Sequence, residues 1–112
     1  MRNRAFVEAV LAYTGAKQVN IISHSMGVTL GRKVIKGGSA VDHMAGSYDV
    51  GPSLEGKIKN FIGLAGANLG LTACWTATTI PTCSVKDGFF PGAGPSSHPS
   101  EFLNDLNING GP

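Results

Sequence analysis

"VNIISHSMGVTLGRKVI", residues 19–35, runs from a short apolar stretch into a helix-like one with no loop between them. Val19-Asn20-Ile21-Ile22 is β-branched and apolar, which predicts a strand over 19–23 buried on both faces. From Met26 a helix is predicted to residue 36, with Arg32, Lys33 and Lys36 in its C-terminal half, where cations suit the macrodipole. A chain that only had to leave a strand and enter a helix would use a few turn residues. Here the polar Ser23-His24-Ser25 makes the whole change of direction.

Ser25 lies at the apex of that turn, with Ser23 two residues before it and Gly27 two after. This is the nucleophile-elbow pattern G-x-S-x-G with Ser in place of the first Gly. The physics of the turn explains each position. A strained apex lets the hydroxyl project clear of the sheet. A turn this tight brings the residues two before and two after together, so both are expected to be small. The helix beginning at Met26 aims unpaired N–H groups at the same point, and the Met26 N–H is the candidate donor to a developing oxyanion. Gly31, one turn beyond Gly27, is expected to let that helix lie close on the sheet. S-x-S-x-G arises by chance in about 1 in 25 chains of this length. The flanking strand and helix remove most such accidents.

Outward from the turn, apolar residues Phe6, Val7, Val10, Leu11 and Ala12 give residues 4–14 the period of an amphipathic helix. Gly15 stands where such a helix needs a left-handed residue after its end. Gly37-Gly38 closes the helix after the turn, and residues 39–56, rich in Gly, Ser and Asp, read as a loop. Ile58 to Ala65 is a second strand, parallel to the first because a helix separates them. From Gly66 onward loops dominate, until a short helix over 99–106 with Pro99 at its first position. The fold class is α/β: parallel strands with flanking helices around an elbow.

At 112 residues the chain has room for one small domain. Charged residues are 14% of it, against about 25% in globular chains, so apolar surface is meant to be covered. A net charge of +2 is too mild to point to nucleic acid or an anionic membrane. No apolar run approaches the ~20 residues of a membrane span, and no targeting segment is visible.

The elbow, Val19-Asn20-Ile21-Ile22-Ser23-His24-Ser25-Met26-Gly27, resembles that of the class 2 lipases of the α/β-hydrolase superfamily. Phe61-Ile62-Gly63-Leu64-Ala65-Gly66-Ala67-Asn68-Leu69-Gly70 and the two cysteines resemble the nematode branch of that family. The similarity spans most of the chain. It implies a secreted serine esterase or lipase acting on acyl esters, with Ser25 as nucleophile, Met26 as one oxyanion donor and no cofactor. Its partners would be a lipid or small ester substrate, with transient contact at a lipid surface. The departure at Ser23 is small.

The remaining triad members are harder to place. The superfamily's order is Ser, then acid, then His. His24 adjoins the nucleophile and is expected to serve the turn rather than take the proton. His43 follows the elbow closely, with only Asp42 ahead of it as an acid. Asp87 and His98 stand in the right order and are the candidate pair within the chain, although neither ends a recognisable strand. The second oxyanion donor belongs to a loop ahead of the first helix. Residues 1–112 are therefore expected to be a partial hydrolase domain, lacking N-terminal and C-terminal parts and inactive alone. The alternative is a truncated, non-catalytic remnant that at most binds lipid or a partner.

Cys74 and Cys83 are the only cysteines. Without paired His or further Cys to complete four ligands, a metal site is the weaker reading. A disulfide across this Pro/Thr-rich loop is expected, and with the resemblance it implies an extracellular location. Trp75 in the same loop either lines an acyl pocket or packs its own loop, the commoner fate of such a residue. Glu8, Glu55 and Glu101 form no cluster and read as solvated.

Overall fold

The computed structural model describes residues 2–77, 79–93 and 97–108. The elements in chain order are α1 (Arg2–Thr14), β1 (Val19–His24), α2 (Met26–Lys36), β2 (Ser39–Asp42), β3 (Gly46–Asp49), β4 (Ile58–Leu64) and α3 (Glu101–Asn107), with 3₁₀ turns at Glu55–Lys57, Thr72–Trp75 and Pro81–Cys83. They form two compact units. One holds the residues up to Gly38 together with Asp49–Gly66, the other Ser39–Tyr48 together with the residues from Ala67 onward.

The first unit is built on β1 and β4, which pair in parallel with Ser23 opposite Gly63 and His24 opposite Leu64. The helix between them makes a parallel crossover, as the sequence predicts. α2 packs on both strands, and α1 packs on α2 and β1. Val28, Val34, Ile35, Val50 and Leu54 form the buried apolar core. Gly15 ends α1 with a positive φ of 66°, as expected of a left-handed residue there.

Two expectations are corrected here. β1 is not buried on both faces: its burial alternates residue by residue. Val19, Ile21 and Ser23 look toward the helices, whereas Ile22 is 71% exposed and its partner Ile62 is 50% exposed. Among the described residues nothing lies over that second face, so the apolar character of β1 is only half used. α1 forms as predicted, but Phe6 on its apolar side is 71% exposed, and the buried residue of this helix is Arg4. The Arg4 guanidinium donates from Nε to Glu8 at 2.9 Å and from Nη1 to the Pro52 carbonyl at 2.7 Å. It lies against Gly51, where a Cβ would come within 2.8 Å of the guanidinium carbon. Glu8 is therefore a paired residue and not a purely solvated one.

In the second unit, residues 39–49 form a two-stranded pair, β2 with β3, where the sequence reads as loop. Its connection is closed by Asp42, whose Oδ1 accepts from the N–H groups of Met44 and Ala45. All of β3 is exposed, so no alternation of apolar residues announces the pair. Cys74 and Cys83 form the expected disulfide. Ala67, Phe89, Leu103 and Leu106 of this unit are buried as well, with Phe89 and Phe102 meeting edge to face at 5.9 Å. α3 begins at Glu101, two residues later than Pro99 would set it. The reason is Ser100, whose Oγ accepts from the Leu103 N–H at 3.2 Å and donates to the Gly88 carbonyl at 2.7 Å. A side chain that caps the first turn fixes the boundary better than a favourable proline.

Candidate active site

Ser25 lies between the last residue of β1 and the first of α2, at φ 55° and ψ −130°. This is one of two non-glycine residues with positive φ among those described. An L-residue there carries strain of about 1–3 kcal/mol, which surrounding contacts must hold in place. They are visible. The Ser25 N–H donates to the Leu64 carbonyl at 2.9 Å, and the Ser25 carbonyl accepts from the Val28 N–H at 3.1 Å. One bond ties the apex to β4 and the other starts the helix. The Ser25 side chain makes no capping bond to α2, so its hydroxyl is not spent on the helix. Met26, the first helical residue, has its N–H ahead of the first intrahelical bonds, as every helix start does.

The small residues around the apex divide in an unexpected way. A Cβ at Gly31 would lie 3.0 Å from the Phe61 ring and 3.3 Å from Ser23 Oγ, which is the predicted close approach of α2 to the sheet. Gly63 on β4 is tighter still, with Val28 Cγ1 at 2.7 Å from such an atom. At Gly27, by contrast, an added Cβ meets no described atom within 4 Å. The expectation that Gly27 must be small for steric reasons is therefore not supported here. The elbow is compact because of Gly31 and Gly63, one on each side of the helix–sheet contact.

The second positive-φ residue is Ala65, at φ 50°. It follows β4 directly, as Ser25 follows β1. Both strands thus turn sharply at their C-terminal ends, the edge of a parallel sheet where ligands gather in open α/β folds. No motif marks Ala65 in the sequence; a Gly beside it, Gly66, is the only hint.

The second unit carries the imidazole–carboxylate pair, but with a different histidine from the one chain order suggests. Asp87 Oδ2 lies 2.8 Å from His43 Nδ1 and accepts from the His43 backbone N–H at 3.1 Å. Asp87 is thus engaged by His43 and not by His98, which is exposed. Burial alone would raise the Asp87 carboxyl; the neighbouring Ser84 hydroxyl and the two His43 contacts outweigh it and bring the pKa down to about 2. The bond to Asp87, and then its charge, raises the His43 imidazole above its usual value. Sequence separation hid this pair, since its members stand 44 positions apart. Asp42, His43 and Asp87 bring ligand-type atoms within 4.8 Å of one another. Asp42 is already committed to its own turn and Asp87 to the imidazole, so the cluster is held together by bonds of its own.

Trp75, more than half exposed, donates from Nε1 to the Gly92 carbonyl at 2.6 Å, which ties it to a segment beyond the Cys74–Cys83 loop. His24 is exposed at the end of β1. Among the described residues no helix is long and apolar enough to cross a membrane. A family model described as lipase (class 2) matches residues 1–111. No curated protein and no solved structure matches the chain.

Proposed function

The chain belongs to the class 2 lipase family, a family of hydrolases, and we propose that Ser25 is the nucleophile with which it cleaves acyl esters. The observation that carries this reading is the Ser25 backbone, strained at φ 55° between a parallel strand and a helix and tied to Leu64. Such an apex has no structural benefit that a glycine would not supply more cheaply.

In the reaction, Ser25 Oγ bonds to the ester carbonyl carbon while an imidazole takes the hydroxyl proton. The carbonyl π-electrons move onto oxygen, and the Met26 N–H donates to that oxyanion. Collapse breaks the bond to the alkoxy group, which leaves as the alcohol with the proton returned by the imidazole. Water then cleaves the acyl–Ser25 ester by the same steps. An acyl-glycerol ester, met at a lipid surface, is the substrate class. The Cys74–Cys83 disulfide supports action in an oxidising, extracellular compartment.

A fluorophosphonate probe applied to the protein should label Ser25, and Ser25→Ala should remove both the label and ester hydrolysis. Labelling that survives the substitution overturns the assignment. In the first unit the imidazole is that of His24, exposed and next to Ser25 in the chain.

A further inference from the structure

Ser25 and Ala65 are neighbours across two parallel strands of the first unit. β1 and β4 pair as far as His24 opposite Leu64, and the Ser25 N–H carries the ladder one bond further, to the Leu64 carbonyl at 2.9 Å. The next rung therefore falls on Ser25 and Ala65, in strands about 4.8 Å apart. Both residues have positive φ, 55° and 50°. For Ser25 the strain serves the proposed chemistry. At Ala65 it calls for a reason of its own, because glycine takes this conformation without steric cost. Packing does not supply that reason: Ala65 is exposed, so its methyl group fills no core. Gly63, two residues earlier, shows the opposite case, since a methyl there would stand 2.7 Å from Val28 Cγ1. The chain thus has glycine where a methyl would collide, and a methyl where glycine would be easier. Strained residues of this kind persist chiefly where function holds them.

We propose that Ala65 is a specificity-determining residue of the hydrolase: its methyl group stands beside the reacting carbonyl and admits esters that are unbranched on either side of it. This rests on Ser25 as the nucleophile. The carbonyl carbon bonded to Ser25 Oγ carries two substituents besides the oxyanion. With the oxyanion drawn to the Met26 N–H at the start of α2, one of these substituents falls toward β4 and meets position 65. A straight acyl chain, or the alkoxy group of a primary alcohol, offers a CH₂ there and passes a methyl. A branched acyl group, or the ester of a secondary alcohol, brings a second carbon into the same space. Contacts of this size in an apolar site change rates by about tenfold or more. The substrates favoured are therefore straight-chain esters of primary alcohols.

The test labels the protein with two fluorophosphonates, one bearing methyl and methoxy groups on phosphorus, the other isopropyl and isopropoxy groups. Peptide mass spectrometry gives the second-order rate of adduct formation at Ser25 for each. The readout is the ratio of the two rates, small probe over branched, from which any loss of folded protein or of general reactivity cancels. Ala65→Leu should raise this ratio by about tenfold or more. Ala65→Gly should lower it several-fold, by opening the space on the β4 side. The glycine variant also keeps the test decisive if a leucine at positive φ impairs folding. An unchanged ratio in Ala65→Gly, or a shift in the same direction as that of Ala65→Leu, overturns the proposal and leaves the Ser25 assignment standing. If neither probe labels Ser25 in the unmodified protein, the nucleophile assignment fails, and the role of Ala65 with it.

Discussion

The N–H of Ser25 donates to the carbonyl oxygen of Leu64 at 2.9 Å, so the apex of the elbow is also the last rung of the β1–β4 ladder. The residue after Leu64, Ala65, has φ 50°, and Ser25 itself has φ 55°. Each of two adjacent strands is therefore followed by a non-glycine residue of positive φ, and one hydrogen bond joins the two strand ends. Strain at Ser25 is then a property of the paired strand ends and not of one residue.

Relieving that strain should stabilise the protein. Ser25→Gly and Ala65→Gly are each expected to raise stability by about 0.5–1 kcal/mol, the strain released exceeding the entropy that glycine adds to the unfolded chain. Urea unfolding midpoints measure it. A lower midpoint for both variants would mean that neither backbone is strained.

Helix–sheet packing should respond unequally at its two glycines. Gly63→Ala places a methyl 2.7 Å from Val28 Cγ1 and should cost about 1–3 kcal/mol through overpacking. Gly31→Ala meets the rim of the Phe61 ring at 3.0 Å. That ring can shift, and alanine favours the helix by about 1 kcal/mol, so the change should be near neutral. Chemical denaturation of the two variants side by side decides it; the reverse order would place α2 differently on the sheet.

The Cys74–Cys83 bond closes a short loop, with a sequence separation of 9. Its loss in the Cys74→Ser, Cys83→Ser double variant should cost about 2–3 kcal/mol. A calorimetric Tm that does not fall would contradict this. Peptide mapping without reduction should recover the two cysteines in one linked fragment.

Stability should depend on pH through His43 and Asp87. Asp87 is held near 2, below its ordinary value, so its contribution is present above about pH 4 and lost as pH falls toward 2. His43 is raised, so its contribution is complete below about pH 6.5 and fades as pH rises through the raised value. The pair therefore helps most between these limits, in mildly acidic solution. Asp87→Asn should flatten both flanks of the stability–pH curve; His43→Ala should remove the alkaline flank and weaken the acid one, since its imidazole helps to lower Asp87. A wild-type curve superimposable on that of Asp87→Asn would refute the linkage.

The local chemistry of residues 19–35 was enough to specify the strand, the sharp turn and the helix, because spacing and turn strain act between neighbours in the chain. It also marked Ser25, Met26 and the close approach at Gly31, and the cysteine count marked the disulfide. What lay beyond it depended on residues far apart in sequence. The β2–β3 pair has no buried face to impose a period. The start of α3 follows from a Ser100 hydroxyl that bridges to Gly88. Asp87 takes His43 as its partner because folding brings the Asp42–Ala45 turn against it, whereas chain order points to His98. Two-sided burial of β1 was the natural reading of four apolar residues, but composition reports only that a face is apolar. Whether anything covers that face, and which backbone edge stays open, is set by how many strands come to lie beside it, and that only the tertiary structure decides.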